Sequence, residues 1–413
     1  MTIYKQFNNG LRLIVNKMEG LMSVSIGVLV KTGSTNETES ENGISHFIEH
    51  VMFKGTEKRS SFEISDYIDR IGAQINAFTS KELTCYYTKS TSEHVEDSLE
   101  VLSDIFFNSK FDKEELEKEK GVVIEEINMS EDTPEDICLD LLAESYYGKE
   151  GFGRTILGPA KNIKKFTKQD VQAYMNRYYT ADNVVISIAG NVQIEQAVEM
   201  VERYFADKFT VFKSDKQVSV SIPQPKQLYR TKKIEQSHIG FAMKGYTADH
   251  KLADAFSIAN LVLGGGMSSR LFQKVREQLG LCYSVYSYAS SYKDNGVLEI
   301  YAGVNTSSRD LAVNAIVEEV LKFKKDGVTE QEFLRGKEQI KSAFIFGRES
   351  TASQMLLYGR YLLFLNKEYD YDQRVKEIEN LSLNDVRESI DGSFEILGSA
   401  TATIGTKRTP IKV

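Results

Sequence analysis

The sequence predicts a mixed α and β chain built from two similar domains, and three observations carry that reading. The chain has 413 residues, about two to three times the usual domain length. Strand-like and helix-like apolar patterns interleave along both halves. The second half also replays the order of the first. Thr167-x-x-Asp170-Val171 followed by residues 184–190 corresponds to Ser382-x-x-Asp385-Val386 followed by residues 399–405, and both Asp170 to Asp385 and Gly190 to Gly405 are 215 positions apart. A shorter echo, Ile26-Gly27 against Ile239-Gly240, lies 213 apart.

Taken in order, residues 11–15 and 24–30 alternate or run apolar like strands, and 74–79 with 83–89 form a hairpin pair. Residues 44–53, 62–71 and 94–107 carry apolar side chains at helical spacing, and 112–129 is a long charged helix followed by a stretch containing Pro134. Thr167 to Asp170 is a capping box before a helix, and 184–189 is a strand. In the second half, 237–243, 282–288, 297–304 and 400–404 read as strands, 252–263 as a helix, with further helices before the last strand. The polar stretch 210–228 holds Pro223 and Pro225, two of five prolines, and reads as the linker between domains 1–209 and 229–413.

Composition bounds the function. Hydrophobic residues make up 41% and charged residues 27%, as in a globular protein with sizeable cores. The net charge of −8 is uneven, with residues 1–208 at −12 and the rest at +4. An acidic half attracts cations and basic peptides and repels nucleic acid, so no nucleic-acid partner is expected. No run of 18 apolar residues suggests a membrane span, and the first residues lack the pattern of a secretion signal. Cys85, Cys138 and Cys282, odd in number and widely spaced, fit buried thiols in a reducing, cytoplasmic setting rather than a disulfide framework. Gly264-Gly265-Gly266 is no phosphate loop, because Met267-Ser268-Ser269-Arg270 follows in place of Gly-Lys-Ser/Thr; a turn fits better.

The chemistry concentrates in His46-Phe47-Ile48-Glu49-His50, which uses two of five histidines. On a helix, positions i and i+4 share one face, so both imidazoles can reach one metal, and Glu49 can touch a water bound to it. Zinc requires a further protein ligand and an open position. The charged helix offers candidates, sorted by its apolar stripe Leu116, Val123 and Ile127. At about 100° per residue Glu119 and Glu126 share one flank of the buried face, whereas Glu125, Glu117 and Lys118 face solvent. Either Glu119 or Glu126 can ligate, the other serving to orient a histidine.

These residues resemble the pitrilysin/insulinase-type zinc metallopeptidases, in particular the short-chain bacterial branch similar to the β-subunit of mitochondrial processing peptidase. The resemblance spans nearly the whole chain. It rests on Gly43-Ile44-Ser45-His46-Phe47-Ile48-Glu49-His50-Val51-Met52-Phe53-Lys54-Gly55-Thr56, on Gly72-Ala73-Gln74-Ile75-Asn76-Ala77-Phe78-Thr79, and on Glu119 with Val122-Val123-Ile124-Glu125-Glu126. Gly153-Arg154-Thr155-Ile156-Leu157-Gly158, residues 263–270, Arg276 and Tyr283 complete it.

The resemblance implies an α+β fold of two similar domains, each a mainly antiparallel sheet covered by helices on one face. In the family the third ligand follows the second histidine by 76 residues, which selects Glu126 for the metal and leaves Glu119 as the supporting carboxylate. One Zn2+ per chain is then held by His46, His50 and Glu126, with a zinc-bound water as nucleophile and Glu49 as general base. Arg276 and Tyr283 match the pair that touches the substrate carbonyl, and the 74–79 strand, through Asn76, Ala77 and Phe78, is the expected peptide-binding edge. The expected activity is a zinc endopeptidase acting on peptides or unfolded segments inside a chamber formed by a homodimer, with no membrane partner. Family members that serve as silent scaffolds, or that work only with a different partner chain, typically divide or break these residue sets. This chain keeps both.

Overall fold

The computed structural model describes residues 1–209, 213, 221–407 and 409–411. The strand-like runs of the first half form a six-stranded sheet. Its members are β1 (Thr2–Gln6), β2 (Arg12–Lys17), β3 (Ser23–Val30), β4 (Gln74–Thr79), β5 (Thr84–Thr91) and β6 (Val184–Gly190), in the order β1-β2-β6-β3-β5-β4. All pairings are antiparallel except β2 with β6. Alternate residues of β3, namely Val24, Ile26, Val28 and Val30, enter one large core with Leu13, Val15, Ile186 and Ile188. Phe47, Ile48, Leu99, Leu102 and Tyr174 from the helices on that face close it, because each helix presents an apolar stripe.

A second sheet repeats the plan. It comprises β7 (Gln227–Thr231), β8 (Gln236–Lys244), β9 (Cys282–Ser291), β10 (Gly296–Asn305) and β11 (Ala400–Gly405), in the order β7-β11-β8-β10-β9. Here β7 with β11 is the parallel pair and the others are antiparallel. Strand for strand, β7, β11, β8, β10 and β9 therefore occupy the places of β2, β6, β3, β5 and β4. The repeated capping boxes are present at Thr167 with Asp170 and at Ser382 with Asp385. The α+β fold of two similar, mainly antiparallel sheets is as the sequence indicated.

The compact units are not contiguous in sequence. The first holds the described residues of Met1–Ile127, Thr155–Ser219 and Ile345–Tyr369; the second holds those of Asn128–Arg154, Val220–Phe344 and Asp370–Val413. Each sheet thus carries, on the face opposite its main helical layer, one helix from the other half of the chain. Helix Thr351–Leu365 lies across β3 and β6, and helix Pro134–Tyr147 lies against β8 and β11. The Ile-Gly echo marks these contacts. A Cβ at Gly27 would lie 2.2 Å from Met355 Sδ, and one at Gly240 would lie 2.9 Å from Leu142, so a bare backbone lets each helix approach. The single cut expected between residues 209 and 229 did not anticipate this exchange. Within the expected linker 210–228, residues 210–212 and 214–220 lie outside the described residues, and Gln227 already begins β7. No helix among the described residues is long and apolar enough to cross a membrane.

Candidate metal centre

Helix Ile44–Val51 buries Ile44, Phe47, Ile48 and Val51 in the first core, which turns His46, Glu49 and His50 toward the opposite side. Helix Lys113–Asp132 is anchored by Leu116 and Val123 and so presents Glu119 and Glu126 on one flank, as the helical arithmetic required. Glu117, Lys118 and Glu125 are exposed. The Oε2 atom of Glu126 lies 3.5 Å from His46 Nε2 and 3.4 Å from His50 Nε2. The three ligand atoms offered by His46, His50 and Glu126 fall within 4.8 Å of one another. Among the described residues this is the group of three or more histidine, cysteine, aspartate or glutamate side chains placed to hold a metal ion.

The donor set fits zinc. Two ligand atoms at tetrahedral angles, each about 2.0–2.1 Å from a shared ion, stand about 3.3 Å apart, close to the separations at Glu126. They are long for hydrogen bonds and short for unrelated neighbours. Burial, aided by the nearby His50, depresses the His46 pKa to about 4, which leaves the imidazole neutral as a ligand must be. Burial opposes charge on His50 as well, but the hydrogen bond to Glu119 and the carboxylates of Glu126 and Glu49 outweigh it and raise its pKa. A setting that favours a proton on this ring also favours a cation at its free nitrogen.

The supporting contacts are specific. His50 Nδ1 lies 3.1 Å from Glu119 Oε2, and Glu119 Oε1 accepts Lys54 Nζ at 2.7 Å. Glu119 is 4% exposed; burial would raise its pKa, yet His50 and Lys54 together hold it below the usual carboxylate range. Glu49 Oε2 accepts the Thr79 hydroxyl at 2.5 Å, which ties the end of β4 to the histidine helix. Burial raises the Glu49 pKa, against the Thr79 hydrogen bond and the His50 charge. Lys54 and Thr79 had no assigned part in the sequence reading. Lys54 follows His50 by four positions, a spacing that placed it beside the motif; Thr79 ends the 74–79 strand, and nothing in the sequence marked it.

β4 is an edge strand, as expected. Asn76 is exposed and its Oδ1 accepts the Ala77 N–H at 2.8 Å, while the Phe78 ring packs against Tyr87. Arg276 and Tyr283 belong to the second unit, whereas the histidine–glutamate group belongs to the first. Arg276 sits in the π-helical segment Phe272–Gln278, and its guanidinium lies 4.9 Å from the ring centre of Tyr283, which is 79% exposed at the start of β9. The remaining histidines have local partners: His94 with Asp97, His238 with Tyr301, and His250 with the Leu252 N–H.

Comparison with known proteins agrees with this geometry. Residues 13–160 match the model described as "Insulinase (Peptidase family M16)", and residues 165–340 match "Peptidase M16 inactive domain". The first stretch contains the His-x-x-Glu-His motif and the second does not. A Bacillus subtilis protein named "Uncharacterized zinc protease YmxG" is 43% identical over 380 residues, covering 92% of each chain. A Streptomyces coelicolor protein, also named an uncharacterized zinc protease, is 32% identical over 386 residues, covering 92% of this chain and 84% of its own. Among solved structures, a protease from Helicobacter pylori superposes with a TM-score of 0.89 at 23% identity, over 98% of this chain and 99% of that one. A structure from Pseudomonas fluorescens described as a peptidase M16 inactive domain gives 0.91 at 18%, over the full length of both. These two likenesses establish the shared fold. The fold, the domain matches and the identity to relatives across nine-tenths of its length converge on one conclusion: the chain belongs to the insulinase family of peptidases, M16.

Proposed function

We propose that the chain is a zinc-dependent endopeptidase in which His46, His50 and Glu126 hold the metal. The observation that carries this reading is the approach of one Glu126 oxygen to both imidazoles, with the second nitrogen of His50 already engaged by Glu119. The names of the relatives as zinc proteases support it. A zinc ion supplies Lewis acidity, polarising a peptide carbonyl and acidifying water to a pKa of about 7. Glu49 is the general base: it takes the proton of the attacking water and passes it to the leaving amine. Its raised pKa suits that work, since a stronger base accepts the proton more readily. The Thr79 hydroxyl, bonded to one carboxylate oxygen, orients Glu49 and leaves the other for the water.

Asn76, Ala77 and Phe78 on the edge strand bind an extended peptide by strand addition, so that backbone rather than side-chain chemistry supplies most of the recognition. Arg276 and Tyr283 donate to the oxyanion that forms on the attacked carbonyl. A homodimer enclosing the substrate, one zinc per chain and a reducing, cytoplasmic setting complete the proposal. The free thiols of Cys85, Cys138 and Cys282 support the last of these. Sedimentation of the purified chain at twice the monomer mass is the expected result for the dimer.

The test of the chemistry is cleavage of a quenched peptide library by wild type and Glu49→Gln, with zinc content measured in parallel. Glu49→Gln should bind zinc as wild type does and lose about 100- to 10,000-fold in kcat. Chelation should abolish wild-type turnover and added zinc restore it. Unchanged turnover in Glu49→Gln, or catalysis indifferent to chelation, overturns the proposal.

A further inference from the structure

Helix Ile44–Val51 is only about two turns long and carries His46 in its first turn, so fraying at its start displaces a member of the metal group. Its N-cap is Gly43, at φ +100°, which offers no side chain to the unpaired N–H groups of the first turn. Nor is there room for one: a Cβ on Gly43 would lie 2.6 Å from the Leu157 carbonyl oxygen and 2.8 Å from Ile163 Cδ1. The missing cap comes from outside the helix. Glu37, 3% exposed, accepts the Gly43 N–H at 2.8 Å and Asn42 Nδ2 at 2.9 Å through Oε2, and the Ser45 N–H at 2.9 Å through Oε1. One carboxylate six residues ahead of the N-cap thus takes the N–H groups of the N-cap and of the second helical residue, and it faces the positive end of the helix. The side chain of Ser45, next to His46, is fixed in turn: its Oγ lies 2.9 Å from the Tyr174 hydroxyl, itself 2.7 Å from Thr32 Oγ1.

We propose that Glu37 is a positioning residue for the metal group, clamping the start of this helix so that His46 stays in register with His50 and Glu126. The inference rests on the zinc reading given above. Burying a carboxylate so deeply is costly unless its hydrogen-bonding capacity is used, and here the donors that converge on it include two backbone groups of the helix start and the Asn42 amide. Its effect is exerted through the backbone, so it touches neither metal nor substrate.

The test compares full-length wild type, Glu37→Gln and Glu37→Ala by competition for Zn2+ against a chromophoric chelator, scored on the folded fraction, with peptide cleavage at limiting and saturating zinc. Glu37→Gln, equal in size, should weaken zinc binding about tenfold or more, and Glu37→Ala at least as much. Saturating zinc should recover most of the kcat of Glu37→Gln, which a purely structural loss would not show. Zinc affinity within twofold of wild type in folded Glu37→Gln overturns the inference while leaving the zinc reading intact. A wild type that binds no zinc removes the zinc reading itself and this inference with it. Should Glu37→Gln fail to fold, Asn42→Ala, which removes one donor and keeps the carboxylate, carries the test: weaker zinc binding by about two- to fivefold supports the clamp, and unchanged binding overturns it.

Discussion

At the scale of single residues, the second contact of His50 decides how it can serve as a ligand. His50 can offer Nε2 because Glu119 occupies Nδ1, and Glu119 can do so because Lys54 balances its charge in a nearly closed pocket. Glu119→Gln keeps an oxygen acceptor for the imidazole but loses the charge that polarises it, and it strands the Lys54 ammonium. Zinc affinity measured against a chelator should fall about 10- to 100-fold, with Lys54→Met moving the same way by less and KM for peptide little changed in either. A shift in KM alone would instead place these side chains in substrate binding. The sequence was informative here to a definite depth. His46, Glu49 and His50 were legible from spacing, and the flank holding Glu119 and Glu126 from the stripe of Leu116 and Val123. The choice between those two carboxylates was not, because helical angle ranks faces and not reach. Lys54 and Thr79 act through contacts between elements distant in sequence, and Glu37 caps the histidine helix from the irregular segment just before it; no periodicity records either.

At the scale of elements, the ends of helices carry much of the specificity. The boxes at Thr167 and Ser382 were visible as motifs, whereas another, at Thr329, is joined to a distant partner. Glu332 Oε2 accepts the Thr329 N–H at 2.8 Å, and the same carboxylate receives Arg270 Nε at 2.8 Å and Nη2 at 2.7 Å. Partial burial would raise the Glu332 pKa, but Arg270 and Thr329 overcome it and pull the value down to about 2. A folded-state pKa below the unfolded value of about 4.3 stabilises the protein above that value and is lost as pH falls toward 2. With both side chains mostly shielded, the contribution is on the order of 2 kcal/mol. Urea midpoints of wild type and Glu332→Gln should therefore differ at pH 6 and converge between pH 4 and pH 2. A gap that persists at pH 2 would mean that packing, not charge, separates the two proteins.

At the scale of the whole molecule, the duplication was legible and the exchange of helices was not. Offsets of 213 and 215 residues announced two copies of one plan, but the pattern of an amphipathic helix is the same whichever sheet it covers. Only the glycines hinted otherwise: Gly27 and Gly240 interrupt strands that otherwise prefer branched side chains, and the helices that fill the space, at Met355 and Leu142, are themselves 213 apart. The docking face is partly polar. Arg12 donates to the Leu362 carbonyl and Asn366 Oδ1 at the end of helix Thr351–Leu365, Ser25 pairs with Thr351, and Ser187 donates to the Met355 carbonyl. A fragment of residues 1–209 would leave these groups, with Ile14, Leu29 and Val185, uncovered, because the helix that satisfies them lies far along the chain. A fragment of residues 221–413 would lack helix Pro134–Tyr147 and leave Ala242, Val297, Tyr301 and Ile404 bare. Expressed singly, each fragment should bind a hydrophobic dye and unfold without a cooperative transition. Produced together they should co-purify, since each supplies the helix the other needs, and a cooperative melt should return. Independent cooperative folding of residues 1–209 would show that the exchanged helix is dispensable, and the two units would then be domains in the ordinary contiguous sense.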